Sequence, residues 1–355
     1  MVAQSFWRLE LLARLAAERS YLLRQLWALD EAALTTVPVR DGRTAKDIIT
    51  HVAAWDSLVL SRLRLVGNGR THQIEPLGIG DNRDTFNAEL HRRYQNSSLK
   101  LALAFALRER SNLLYAFDQL SDADLESRFT LPWGEETSRY DWFVQRYEHD
   151  ASHAAKLESW RQTLPLAAKR QIGPKLVLRA ILKAARQEFT TLVDLVPPDE
   201  RASKPVHGDW TLKDLVGHLT DWEQLIVDGL RQLLLGRTPQ FAVTISDFAA
   251  FDEAHVQARW PQPWRQVWQD FNRSRKALDD VFQQFPELFL CHTLVTPWGK
   301  EMPAYFWLTI CFGHDHEHAI HLRQSPVMRQ QRHTTHKPSP REFLSSQNAN
   351  KCMVI

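Results

Sequence analysis

At 355 residues the chain has room for two domains of about 150 residues, each able to bury a core without disulfide or metal staples. Its 44 Lys/Arg and 42 Asp/Glu give +2; from Pro326 onward five basic residues face one acid, which leaves the rest with 39 basic and 41 acidic residues and no basic field suited to nucleic acid. Cys291, Cys311 and Cys352 stand far apart without paired spacing, which excludes a disulfide framework or thiolate zinc site and makes a reducing cytosol the expected compartment.

Along the chain, Trp7, Leu11, Leu12, Leu15, Leu22, Leu23, Leu26 and Leu29 recur at helical intervals and predict an amphipathic helix ending before Asp30. Charges run through that apolar pattern, so the segment reads as a helix and not as a signal peptide. Thr44 is the predicted N-cap of a second helix, with Asp47 adding favourable charge in its first turn. A third is expected over 99–120 and a fourth over 140–163. The stretch 164–174, with two prolines and a glycine, reads as a linker. The order then repeats with helices expected over 176–196, 211–235, 264–285 and 304–324. Strand signals are nearly absent, and Asp41-Gly42 reads as preceding a helix and not as closing a hairpin. Tyr305–Phe312, the longest strongly apolar stretch near the repeats, is much too short to span a membrane. From Pro326 the composition turns to Gln, Ser, His, Asn and basic residues, which predicts a flexible basic tail.

The repeat is internal duplication. Thr44–Leu58 (TAKDIITHVAAWDSL) returns 167 positions later as Thr211–Leu225 (TLKDLVGHLTDWEQL), with Thr44/Thr211, Lys46/Lys213, Asp47/Asp214, His51/His218, Trp55/Trp222 and Leu58/Leu225 identical. At an offset of 165, Pro132-Trp133-Gly134 returns as Pro297-Trp298-Gly299, followed by Tyr140/Tyr305, Trp142/Trp307, His149/His314, Asp150/Asp315, His153/His318 and Leu157/Leu322. The expected fold is all-α, two tandem four-helix bundles over residues 1–166 and 167–325, with residues 326–355 as the tail.

His149 and His153 are one helical turn apart, so both rings fall on one face and can hold a metal between them. His51 can add a third nitrogen from the second helix. His218, His314 and His318 form the equivalent set. Three neutral imidazoles with an open position suit a divalent ion such as zinc, nickel or iron. The alternative reading is surface or core histidines kept in register by shared ancestry. His321 lies seven residues after His314, where copy one has Lys156. It reads as a fourth ligand, an acid/base group of copy two, or a residue at the pocket edge or surface. Trp55/Trp222 and Trp142/Trp307 read as bundle core, and Trp133/Trp298 as loop anchors or a pocket mouth. No phosphate loop, Ser-centred elbow or carboxylate-rich di-iron pattern is present.

The pattern T-x-K-D followed by H-x-x-x-W on the second helix, with H-D-x-x-H on the fourth, resembles the DinB-like superfamily and looks closest to its ClbS/DfsB branch. The resemblance rests on TAKDIITHVAAWD, Phe86-Asn87-Ala88-Glu89 with LRERSNLLYAF, and PWGEETSRYDWFVQRYEHDASHAAKL. In copy two it rests on TLKDLVGHLTDWE, Phe251-Asp252-Glu253 and PWGKEMPAYFWLTICFGHDHEHAIHL. It implies a four-helix bundle with a divalent-metal site on His51, His149 and His153, and on His218, His314 and His318, or about one ion per bundle. The expected function is a metal-dependent enzyme of the thiol-transferase or detoxification kind, using a low-molecular-weight thiol against an electrophilic small molecule. The alternative is a non-catalytic protein that binds or sequesters a small molecule. Neither nucleic acid nor a membrane is an expected partner. Cys352-Met353-Val354-Ile355 has the form of a prenylation box, but four residues match easily by chance and the resemblance is to a mainly bacterial family. An unmodified, soluble, cytosolic protein is expected.

Overall fold

A computed structural model describes residues 5–77, 81–165, 168, 175–241 and 245–335. It is all-α, as the periodicity requires. The chain divides into two compact units: Arg14–Ala185, and Ala3–Ala13 together with the segment from Arg186 onward.

The first unit is built on α1 (Phe6–Arg24, from residue 14), α3 (Ala45–Gly67), α5 (Leu99–Asp118) and α7 (Arg139–Thr163). The short α2 (Glu31–Thr36), α4 (Asp81–Tyr94) and α6 (Asp122–Glu126) lie between them in sequence. The second repeats the plan with α8 (Lys175–Leu195, from residue 186), α9 (Leu212–Leu234), α11 (Trp264–Gln284) and α12 (Ala304–Gln324). Here α10 (Phe248–Arg259) is the counterpart of α4. Leu9 and Ala13 of α1 are buried in this unit's core with Phe189, Leu215, Phe271 and Met328, so the boundaries of the compact units fall inside α1 and α8.

Two expectations need correction. The first ten residues assigned to a flexible tail form α13 (Pro326–Thr335), where Val327 and Met328 are buried against the core; two apolar side chains in one turn outweigh a polar composition. Asp41-Gly42 does close a hairpin, joining β1 (Pro38–Arg40) to β2 (Arg43–Thr44), with φ of 51° and 71° at the two turn residues. That pair of left-handed residues is the turn whose twist suits a hairpin, and its strands are too short to show alternation. Similar ribbons precede α7 (β3, Arg128–Thr130; β4, Glu136–Ser138), α9 (β5, Pro205–His207; β6, Trp210–Thr211) and α12 (β7, Thr293–Val295; β8, Glu301–Pro303). Most of the expected linker, and Cys352, lie outside the described residues.

Each bundle is tied by one buried cluster of charges, with one member from every main helix. In the first, Asp150 of α7 accepts from Arg19 Nε of α1 at 2.9 Å and from Arg110 Nη2 of α5 at 2.7 Å, while Asp56 of α3 accepts from both arginines at 3.0–3.1 Å. In the second, Arg186 of α8 and Arg275 of α11 bind Glu223 of α9 and Asp315 of α12 at 2.7–3.0 Å. Pairing lets these charges stay buried, and their placement fixes the register in which four helices meet.

Candidate metal centre

The start of α3 is set by a capping box: Thr44 Oγ1 accepts from the Asp47 amide, and Asp47 Oδ2 accepts from the Thr44 amide at 2.9 Å. Thr211 and Asp214 do the same for α9. The lysine of T-x-K-D reaches elsewhere. Lys46 Nζ donates to the carbonyls of Gln95 and Ser97 just beyond α4, and Lys213 Nζ to those of Trp260 and Gln262 just beyond α10. The motif therefore starts the helix that carries the histidine and also ties down the segment that follows α4 or α10.

From that start, seven residues bring His51 and His218 to positions facing the fourth helix. His51 Nε2 lies 3.0 Å from His149 Nε2, which lies 3.2 Å from His153 Nε2. His218 Nε2 lies 2.8 Å from His314 Nε2, and the Nε2 of His318 is buried without a hydrogen-bond partner. Each set offers three nitrogens within 4.8 Å of one another and could hold a metal ion. All six histidines singled out from the sequence are thus brought together as two triads.

The electrostatics favour the neutral form of His51, His149, His153, His314 and His318. Burial above all, then the positive charge of neighbours including Arg43, Arg146 and Lys156, lowers the pKa of His51 to about 3. Burial and then Lys156 lower that of His153 to about 4. His149, His314 and His318 are held well below the ordinary value, again chiefly by burial. Neutral imidazoles present lone pairs, and three converging nitrogens cannot all be satisfied by sharing protons among themselves. Ligands held tetrahedrally about 2.0–2.1 Å from an ion stand about 3.3 Å from each other, close to the observed 2.8–3.2 Å. The donor set therefore fits a divalent ion.

The two triads differ in their surroundings. In the second bundle the Asp252 carboxylate lies 3.2 Å from His218 Nδ1 and accepts from Trp222 Nε1 at 2.8 Å, so its negative charge favours a proton on Nδ1 and a lone pair on Nε2. In the first, Asn87 stands at that position; it accepts from Trp55 Nε1 at 3.2 Å, and His51 Nδ1 has no partner. The second triad opens into a cavity of about 960 Å³, whose lining includes Trp222, Trp298 and His321. The space beside His51, between α3 and α4, is about 10 Å³.

A profile of the DinB superfamily matches residues 14–157 and 181–322. The chain belongs to the DinB superfamily. No curated protein and no solved structure matches it. Both DinB copies keep Trp142 and Trp307 in the core, at 2% and 0% exposure. Trp298 lines the cavity, whereas Trp133 is tied by its indole to the neighbouring Glu135. His321 stands at the cavity edge, with its Nδ1 3.2 Å from His318 Nδ1 and its ring stacked on His207 at 3.8 Å.

Sequence reading passed over the buried charge clusters and Arg146. The signal was available for the first, because Arg19/Arg186 and Arg110/Arg275 keep the same offsets as the histidines. Arg146 has none, since Cys311 stands in its place in copy two. It is buried, its guanidinium lies 5.3 Å from the Trp55 ring, and its Nε and Nη1 have no partner. Burial lowers its pKa to about 10, so it carries charge beside the first triad at neutral pH. Burial pushes the Cys311 thiol up, so that residue is an uncharged apolar contact and not a nucleophile.

Proposed function

We propose that this protein is a divalent-metal-binding member of the superfamily that works through its second bundle as a thiol-dependent transferase or detoxification enzyme, as the resemblance to the ClbS/DfsB branch suggests. The observation that carries the reading is a triad of converging histidines opening onto a cavity large enough for a small molecule. Superfamily members usually bind metal, which agrees with it. His218, His314 and His318 would hold the ion, with Asp252 orienting His218, and the metal would be zinc, nickel or iron. When bound, such an ion supplies Lewis acidity and lowers the pKa of a thiol entering its open position.

The chain's own groups supply the rest. Trp222, Phe248 and Trp298 form an apolar wall on one side of the cavity. His321 lies 3.2 Å from His318 at the rim, where it can take or return a proton at the cavity mouth. The reading includes a cytosolic protein with a small-molecule partner and no nucleic-acid role. Among the described residues no helix is long and apolar enough to cross a membrane.

The test is metal content by mass spectrometry of protein purified without chelator and offered zinc, nickel or iron, followed by thiol conjugation to an electrophilic chloroarene. His314→Ala is expected to lose metal from the second bundle and to abolish conjugation. Metal-free wild type would end the metal reading. A metal-loaded protein that is inert towards every thiol and electrophile would favour the alternative role, binding or sequestering a small molecule.

A further inference from the structure

The cavity of the second bundle carries a chemical bias that the histidines do not explain. Among the described residues no lysine or arginine lines it, whereas five carboxylates do. One of them, Asp214, keeps only 7% exposure, and its Oδ1 has no hydrogen-bond partner, Oδ2 being used in the capping box. In the first bundle the equivalent Asp47 Oδ1 faces His91 Nδ1 at 3.7 Å; in the second, Val256 occupies that position and leaves Asp214, a residue of the cavity lining, with a buried acceptor that no side-chain donor meets. A buried carboxylate oxygen without a donor is a costly arrangement, relieved by a ligand that brings a positive charge or an N–H group.

The aromatic part of the lining suits the same ligand. The rings of Trp222, Phe248 and Trp298 stand with centroids 5.9–6.0 Å apart, and their faces attract a cation while their area takes up an apolar body. An anionic ligand would meet Asp214, Asp252 and Glu317 with no lysine or arginine among the described lining residues to offset them. The first bundle reverses the bias, with Arg43 where the second has Trp210 and Lys156 where it has His321.

We infer that the second-bundle cavity binds an organic ammonium ion with an apolar body, its charge set between the aromatic wall and the carboxylates. This deepens the proposed function by naming its substrate class and rests on the second bundle being the working site. It does not require metal to be present.

The experiment is tryptophan-fluorescence titration of the full chain with three probes of one shape class: benzyltrimethylammonium, its neutral carbon isostere neopentylbenzene, and phenylacetate. Each is run on metal-free and zinc-loaded protein, with metal content measured on the same samples. The cation is expected to bind at least tenfold more tightly than either other probe. Glu317→Lys, at an exposed rim position that leaves the core intact, and Trp298→Leu are each expected to weaken it at least tenfold, while Trp133→Leu in the first bundle leaves it unchanged. Equal binding of the neutral isostere, tighter binding of phenylacetate, or indifference to Glu317→Lys would overturn the inference. Protein that takes up zinc but not the cation sinks this inference alone; protein that takes up the cation but never zinc sinks the metal reading alone.

Discussion

Arg146 is expected to weaken metal binding at the first triad, and its removal to restore it. Its guanidinium lies 5.3 Å from the Trp55 ring, which lies 5.5 Å from the His149 ring, so the charge stands within about 11 Å of a would-be ligand. At about 10 Å and an effective dielectric of about 20, a single charge repels a divalent ion by about 3 kcal/mol, falling to about 1 kcal/mol where water screens it. Arg146→Met should therefore tighten zinc binding at the first triad by about 5- to 150-fold. Met is a fair replacement, since the Nε and Nη1 of Arg146 have no acceptor to lose. The assay is competition with a chromophoric chelator, using His314→Ala to isolate the first site and His149→Ala to isolate the second. The second site should be the tighter by tenfold or more. A first site that is as tight, or one that Arg146→Met leaves unchanged in a protein of unaltered melting temperature, would refute the electrostatic reasoning.

Asp150→Asn should cost about 3–5 kcal/mol, read as a lowered melting temperature, because it strips the carboxylate that Arg19 and Arg110 share. Asp315→Asn should cost less, because Cys311 in place of Arg146 leaves one fewer unpaired cation; the reverse order would contradict this account. Asp252→Asn reproduces the arrangement of Asn87 and so should fold, while lowering zinc affinity at the second triad by about 10- to 100-fold; unchanged affinity would show that the carboxylate does not support His218. Gly229→Ala would bring a methyl group to 2.2 Å from Trp307 Cζ3 in a fully buried setting, with an expected loss of about 3 kcal/mol. Trp307→Phe, which lacks the ring carbons in collision, should recover part of that loss, and failure to do so would place the strain elsewhere.

The eight long helices and both triads were legible in the sequence because their causes are local or repeated. Leucine periodicity in α1, the Thr-x-Lys-Asp cap of α3 and α9, and the one-turn spacing of His149 and His153 each act within a few residues. What escaped depends on partners distant in sequence. The helices α4 and α10 carry weak apolar stripes, and they are held by Lys46 and Lys213, which read from the sequence only as part of a helix start. Val327 and Met328 look like part of a polar tail until the core that receives them is known. The cavity was legible only at its edge, in Trp298 and His321; its extent goes with the absence from copy two of Arg43, His91 and Lys156, which only the folded comparison reveals.

Those differences follow one rule. Positions inside the bundle, such as Arg19/Arg186, Asp56/Glu223 and Trp142/Trp307, keep their chemistry because a change at one would leave a buried charge unpaired or a core void. Around the triads, no such penalty binds both copies. Arg43/Trp210, Arg83/Phe248, Asn87/Asp252, Arg146/Cys311 and Lys156/His321 each make the second bundle one charge more negative than the first at neutral pH. Asp141/Phe306 and Glu148/Gly313 run the other way, but Ala88/Glu253 and Ser152/Glu317 add to the negative side, and the net shift accompanies the difference between a cavity of about 960 Å³ and a space of about 10 Å³. The same shift favours a cation at or beside His218, His314 and His318, which is why the proposed chemistry is assigned to the second bundle, while the triad of the first has Arg43, Arg146 and Lys156 as positively charged neighbours.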